Sequence, residues 1–225
     1  NLTILDVSNN PALYRLICYS NQLTSLDLSN NINLWELNCS NNQLTSLNVS
    51  QCANLGHLTC GNWIGGNNLT SLDVSDNPNL IDLSCELNQL ISLDVSNNSN
   101  LGNLACNDNQ LTSLDLRNGN NTALALDAIN NSSLTCIDVD DVAWATANWT
   151  VGNGNIDPWA SFSGICNPIY GCTDSTALNY DPLANTDDAS CTYQMTYVPD
   201  DNFEQALINL GYDDFLDDYV FTDSI

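Results

Sequence analysis

The chain has 225 residues, of which 27 are acidic and only two, Arg15 and Arg117, are basic, giving a formal net charge of −25. That charge excludes nucleic acid and insertion into anionic membranes, since both depend on Lys and Arg to neutralise phosphate. Hydrophobic residues still make up 43% of the chain, so it is not a disordered acidic tail, and no stretch approaches the ~20 apolar residues of a membrane-spanning helix.

The opening residues, NLTILDVSNN, show no signal-peptide pattern and already belong to a repeat. Leu2, Leu23, Leu44, Leu69, Leu90 and Leu111 each begin a near-copy of LTSLDVSNNxxLxxLxCSNNQ. Successive copies are 21 residues apart, except for one spacing of 25 that contains an insertion near Trp63-Ile64-Gly65-Gly66. Each copy divides into two halves of the form LxxLxLxxN: Leu23, Leu26, Leu28 and Asn31 make one, and Leu34, Leu37, Cys39 and Asn42 the other. The pattern resembles the bacterial leucine-rich repeats with a nested 21-residue period, over about residues 1–139.

The spacing has a physical reading. A short LxxLxL strand turns its leucines inward, and one coil cannot bury them alone, so coils stack and share a core. The expected fold is mainly β: a right-handed leucine-rich-repeat solenoid of six turns, with short parallel strands and almost no helix before residue 139. At ~4.8 Å per turn it would be roughly 30 Å long. The asparagine after each strand needs partners if buried. Asn10, Asn31, Asn77 and Asn98 are expected to form one internal ladder, with Cys52 taking that position in the third copy. Asn21, Asn42, Asn67, Asn88 and Asn109 should form a second.

Cys18, Cys39, Cys60, Cys85 and Cys106 share the third apolar position of the second half, in one inward-facing row. At the coil spacing, parallel side chains fit disulfide geometry poorly, and a straight row cannot surround zinc tetrahedrally. They read as buried thiols acting as small hydrophobes. By the same spacing Asp127 continues this column where the pattern degrades.

Residues 134–168 resemble the C-terminal cap of these bacterial repeat proteins. Trp144, Trp149, Trp159 and Phe162 supply the bulk to close the core, and Cys136 and Cys166 are expected to be bonded. Residues 169–194 contain YGCTDSTALNYDPLANTDDASCTY, which resembles a short cysteine-bounded module of secreted bacterial surface proteins, with Cys172 pairing Cys191. Asp174, Asn179, Asp181, Asn185, Asp187 and Asp188 place many oxygens there, the ligand type calcium prefers. The spacing lacks the glycine and closing glutamate of an EF-hand, and the same residues also suit turns on a solvated loop. Calcium is the one cofactor considered, and its removal is expected to loosen this module alone. In residues 195–225, Asp200 or Asp201 can cap a helix with a Phe203, Leu207 and Leu210 stripe, stopped by Gly211. This segment resembles the N-terminal cap of a further leucine-rich domain.

His57 is the only histidine and has no nucleophile elbow around it, so no enzyme is expected. Comparing the copies with one another is more informative. The first half hardly varies: Thr3, Thr24, Thr45, Thr70 and Thr112 form one column, and Asp6, Asp27, Asp73, Asp94 and Asp115 another. The second half varies: Tyr14, Trp35, Gly56, Ile81 and Gly102 in one column, Arg15, Glu36, His57, Asp82 and Asn103 in the next. Aromatics beside mixed charges suit recognition, so Tyr14, Arg15, Trp35, Glu36, His57 and Trp63 are the candidate ligand-binding residues. Stacked rings flanked by carboxylates would also suit a glycan.

The expected function is an extracellular, non-enzymatic binding or adhesion module holding protein or carbohydrate. The alternative is a structural spacer or filament unit. Disulfides and the resemblance place it outside the cell, secreted or on a bacterial outer surface, with export by the type IX route implied by the resemblance alone. Asp174-Ser175-Thr176 and Asp223-Ser224-Ile225 resemble a short O-glycosylation motif of such bacteria, placing candidate glycans on Ser175 and Ser224. The order of parts reads as an excerpt from a tandem protein, or as a unit whose final cap docks head to tail on another copy.

Overall fold

A computed structural model describes residues 1–197, 200–212 and 219–221. The chain divides into two compact units, residues 1–166 and the residues from Asn167 onward. The first is a mainly β parallel solenoid of about seven turns.

A six-stranded parallel sheet is built from the second half of each coil: Arg15–Ile17, Glu36–Asn38, His57–Gly61, Asp82–Cys85, Asn103–Ala105 and Ala125–Asp127, in that order. The central leucines are in register, Leu16 beside Leu37 and Leu37 beside Leu58. The first halves form a four-stranded parallel sheet only toward the C-terminal end, in the order Ser161–Ser163, Cys136–Asp138, Ser113–Asp115 and Ser92–Asp94. Between the sheets the leucine columns are closed to solvent: Leu23, Leu34, Leu37, Leu44, Leu55 and Leu58 are at most 1% exposed. Burying each such side chain contributes about 1.5–3 kcal/mol. In the first coil, Leu2, Ile4 and Ile17 are 43–81% exposed.

Both asparagine ladders form, with different geometry, although Asn10 is exposed and takes part through its backbone carbonyl. In the first, Asn31 Nδ2 donates to the carbonyls of Val7 (3.1 Å) and Asn10 (2.9 Å) one coil away. Asn77 and Asn98 repeat this, and Cys52 offers only a thiol, 3.7 Å from the Asn31 carbonyl. In the second, the amide also accepts: Asn42 Oδ1 takes the Leu23 N–H at 3.0 Å while its Nδ2 donates to Cys18 and Cys39. Asn131 extends this ladder, and Asp157 ends it by accepting the N–H groups of Asn130 and Asn131. The constant aspartates of the first half are turn formers. Asp6, Asp27, Asp73 and Asp94 each accept the N–H two residues on, and Asn48 does the same in the third coil.

The register corrects one expectation. Ala105 pairs with Asp127, so the residue that follows Cys106 in the cysteine column is Ala128, 1% exposed, and Asp127 points outward. The coil before it is one residue longer, with a 3-10 turn at Asn121–Ala123, and the extra residue shifts every later position.

The solenoid closes on residues 134–166. Leu134, Ile137 and Val139 continue the buried pattern, and a helix over Val142–Asn148 follows, capped by Asp141, which accepts the Trp144 N–H. Trp149 is the main plug at 4% exposure, in contact with Trp144 and Phe162, and its indole N–H donates to the Leu124 carbonyl at 3.3 Å. Trp159 is 49% exposed. A Cys136–Cys166 disulfide ties the strand to the end of the unit.

In the second unit, Tyr170–Gly171 pairs in parallel with Thr186–Asp187 beside a Cys172–Cys191 disulfide. A helix over Asp201–Leu210 is capped by Asp200 and stopped by Gly211 in the left-handed conformation. Of its apolar stripe Leu207 is buried, while Phe203 and Leu210 are 54% and 69% exposed. Met195–Tyr197 pairs antiparallel with Tyr219–Phe221.

Candidate recognition face

The variable columns lie on the outward face of the six-stranded sheet, where strand pairing sets Arg15 beside Glu36, Glu36 beside His57, and His57 beside Asp82. One ion pair and one further polar contact follow: Arg15 Nε meets Glu36 Oε2 at 2.8 Å, and His57 Nδ1 lies 2.5 Å from Asp82 Oδ2. One residue earlier on each coil, Tyr14 and Trp35 stack with centroids 6.4 Å apart and planes within 10°, and the His57 ring meets Trp35 edge-on at 5.4 Å. The structure therefore brings five of the six candidates into one continuous row.

Gly56 makes this row fit. A Cβ there would fall 2.4–2.7 Å from the benzo carbons of Trp35, so the indole lies directly over the glycine backbone. Gly56→Ala is expected to displace the ring and break the Tyr14 stack, with a stability loss of about 1–2 kcal/mol. The near-ultraviolet circular dichroism of the folded protein reads this out, and an unchanged aromatic spectrum would refute the arrangement.

Trp63 stands apart from the row. It sits 86% exposed in the inserted hairpin, where Asn62 and Gly65 bridge, beyond the C-terminal end of the His57–Gly61 strand. Tyr14 and Trp35 begin or precede their strands, so the strand length separates them from it.

Of the six oxygen-bearing candidates for calcium, Asp174, Asp181 and Asp188 form local turns, while Asn179 and Asn185 bond backbone groups 13 and 16 residues away. Asp174 accepts from Thr176 and Tyr193, Asn179 from Thr192, Asp181 from Leu183, Asn185 from Ile169 and Asp188 from Ser190. Asp187 lies near the Cys191 sulfur. The Thr176 backbone N–H, with the Tyr193 and Thr176 hydroxyls, holds Asp174 below the usual carboxylate range, and Ser190 does so for Asp188. Among the described residues no group of three or more His, Cys, Asp or Glu side chains is placed to hold a metal ion. Ser175 is exposed on this loop, and Ser224 lies outside the described residues.

Cys18, Cys39, Cys60, Cys85 and Cys106 are free, buried thiols, as is Cys52. Burial pushes Cys18 up to about 11 and Cys60 up to about 12, and raises Cys39, Cys85 and Cys106 as well. Because only the thiolate reacts, iodoacetamide at pH 8 is expected to label none of the six until denaturant is added. Rapid native labelling, counted by intact mass, would contradict this.

Fold and face together define a leucine-rich-repeat solenoid with one decorated sheet. No family model and no curated protein matches the chain. Among solved structures it is similar to the functional domain of the internalin InlJ from Listeria monocytogenes, a domain that includes a cysteine ladder. That similarity is 35% identity and a TM-score of 0.45, covering 62% of this chain and 37% of the other. It is also similar to the internalin InlF of Listeria monocytogenes, with 19% identity and a TM-score of 0.39, covering 72% of this chain and 50% of that one. The chain thus spans half or less of the length of both.

Proposed function

We propose that the chain is a non-enzymatic recognition module of a secreted or surface-exposed bacterial protein, holding a protein partner on the Tyr14–Trp35–His57 row. The observation that carries this reading is the clearance beneath Trp35: the coil under the indole has glycine where its neighbours carry a side chain. A drifting surface has no need of such a match, whereas a ring held flat and partly exposed presents a rigid anchor, the usual centre of a binding hot spot. The Arg15–Glu36 ion pair and the His57–Asp82 contact fix the ring's neighbours and form a polar rim. The two disulfides suit an oxidising, extracellular compartment.

Displayed-peptide selection on the intact chain, with a glycan array in parallel, tests this. Binders that lose about tenfold or more in affinity to Trp35→Ala and Tyr14→Ala, while circular dichroism is unchanged, support the reading. Glycans behaving this way would make the partner a carbohydrate, and binders indifferent to both substitutions would leave the spacer role.

A further inference from the structure

The break in the repeat builds a second surface. Inserted residues 62–65 form a hairpin whose flanks are glycines packed against the next coil without room for a side chain. A Cβ on Gly61 would lie 1.7 Å from the Glu86 carbonyl oxygen, and one on Gly66 would lie 1.6 Å from that of Leu87. The hairpin is also pinned to the preceding coil, where Asn62 Nδ2 donates to Ser40 Oγ at 2.9 Å and the Gly65 carbonyl accepts the Asn41 N–H. This tight seating leaves Trp63 86% and Ile64 48% exposed. Beside them Leu87, 40% exposed, is held at φ 53°, a left-handed conformation that a leucine rarely adopts.

Glu86, Asp108 and Asp127 follow on this same edge, one from each of three successive coils. Glu86 Oε2 is buried with no hydrogen-bond partner. The ion pairs of Arg15 and Arg117 are with Glu36 and Asp115, and the chain has no other Lys or Arg, so no internal guanidinium or ammonium pairs with these carboxylates. Nor do they converge as a metal-binding group. Asp108 accepts from the side-chain amides of Asn107 and Asn130, neutral donors that leave its charge unopposed, so the opposing charge is of the kind carried by a long, flexible side chain from outside.

We propose that this C-terminal edge of the six-stranded sheet, with Trp63, Ile64 and Leu87 beside Glu86, Asp108 and Asp127, docks a cationic polypeptide segment presenting Lys or Arg next to an apolar side chain. The Trp63 face takes the cation or its aliphatic stem, Ile64 and Leu87 take the apolar neighbour, and the carboxylates complete the charge pairing. This surface lies at the other end of the strands from the Tyr14–Trp35 row and does not depend on it. Burial, with the Asp127 and Asp108 charges, pushes Glu86 up to about 6, and an arriving cation favours its ionised form. Binding therefore releases a proton near pH 6 and tightens as pH rises.

The test uses the intact chain and a hexapeptide of alternating Arg and Leu, with a Gln-for-Arg peptide as the uncharged probe. Calorimetry at pH 6 in two buffers of different ionisation heat gives affinity and proton release. E86Q/D108N/D127N is expected to weaken binding about tenfold, and Trp63→Ala several-fold. D6N/D27N/D73N removes the same number of charges from the other half of the coil. It keeps its turns, since Asn48 already makes one, and is expected to change binding little. Equal losses from the two triple variants would reduce the effect to diffuse attraction and overturn the proposal. So would binding without proton release, or tight binding of the Gln peptide.

Discussion

Asn88→Ala is expected to destabilise the solenoid by about 4 kcal/mol, far more than its single amide suggests. Asn88 is 7% exposed, and its Oδ1 accepts the N–H groups of Asn67 (3.1 Å) and Leu69 (3.2 Å). Its Nδ2 donates to the carbonyls of Cys60, Cys85 and Glu86. Alanine leaves two buried N–H groups without a partner and weakens three carbonyls, each a penalty of roughly 1–3 kcal/mol before relaxation. Asn21 provides the comparison: it accepts from the Asn1 and Leu2 nitrogens and donates to the Cys18 and Tyr19 carbonyls, but the N–H groups it accepts from are solvent-exposed. Asn21→Ala is expected to cost about 1 kcal/mol. Urea unfolding measures both, and equal losses would mean that the ladder is not the source of the stability.

The second large effect is expected at the closing end. Removing the Cys136–Cys166 bridge, a sequence separation of 30, should cost about 3–4 kcal/mol by loop-closure entropy. More than the covalent link converges there. The Cys166 N–H donates to Asp138 Oδ1 at 2.7 Å, and Arg117 bonds the Gly164 carbonyl while its fork grips Asp115. Freed from the bridge, this loop exposes the plug at Trp149, and in a solenoid the loss is felt first by the neighbouring coil. Cys136→Ser should therefore lower the denaturant midpoint. Cys172→Ser, in the other compact unit, is the control; a midpoint unaffected by Cys136→Ser would remove the bridge from the account.

The solenoid was legible in the sequence because its period is short and repeated: leucine columns, inward cysteines and ladder asparagines are each fixed by spacing. The same reliance on spacing failed at Asp127, where one extra residue in the preceding coil moved the column and only strand register shows it. Trp35 and Tyr14 could be placed on one face by counting, but the ring lying over Gly56 depends on a rotamer, which spacing does not encode. Trp63 looked like a third member of that face as a residue type, and the hairpin carries it to the far edge. The grouping of Glu86, Asp108 and Asp127 is not legible by spacing, because they occupy different repeat positions and become neighbours only through stacking. In the small module, clustered Asp and Asn fit calcium ligands and turn formers equally well by sequence, and Asp174, Asp181 and Asp188 each accept the N–H two residues on, as turn formers do.

The position of the Cys136–Cys166 bridge also governs how the first unit bears tension. A pull between Asn1 and a point beyond Cys166 runs along the coils to Cys136 and then crosses directly through sulfur to Cys166. The intervening helix, the Trp149 plug and the strand at Ser161–Ser163 stay off the loaded path. The coils outside that loop can then come apart one after another while the capped end holds its shape as an anchor. Single-molecule pulling makes this measurable, because adding a reductant should lengthen the fully extended chain by about 100 Å, the reach of the bypassed residues.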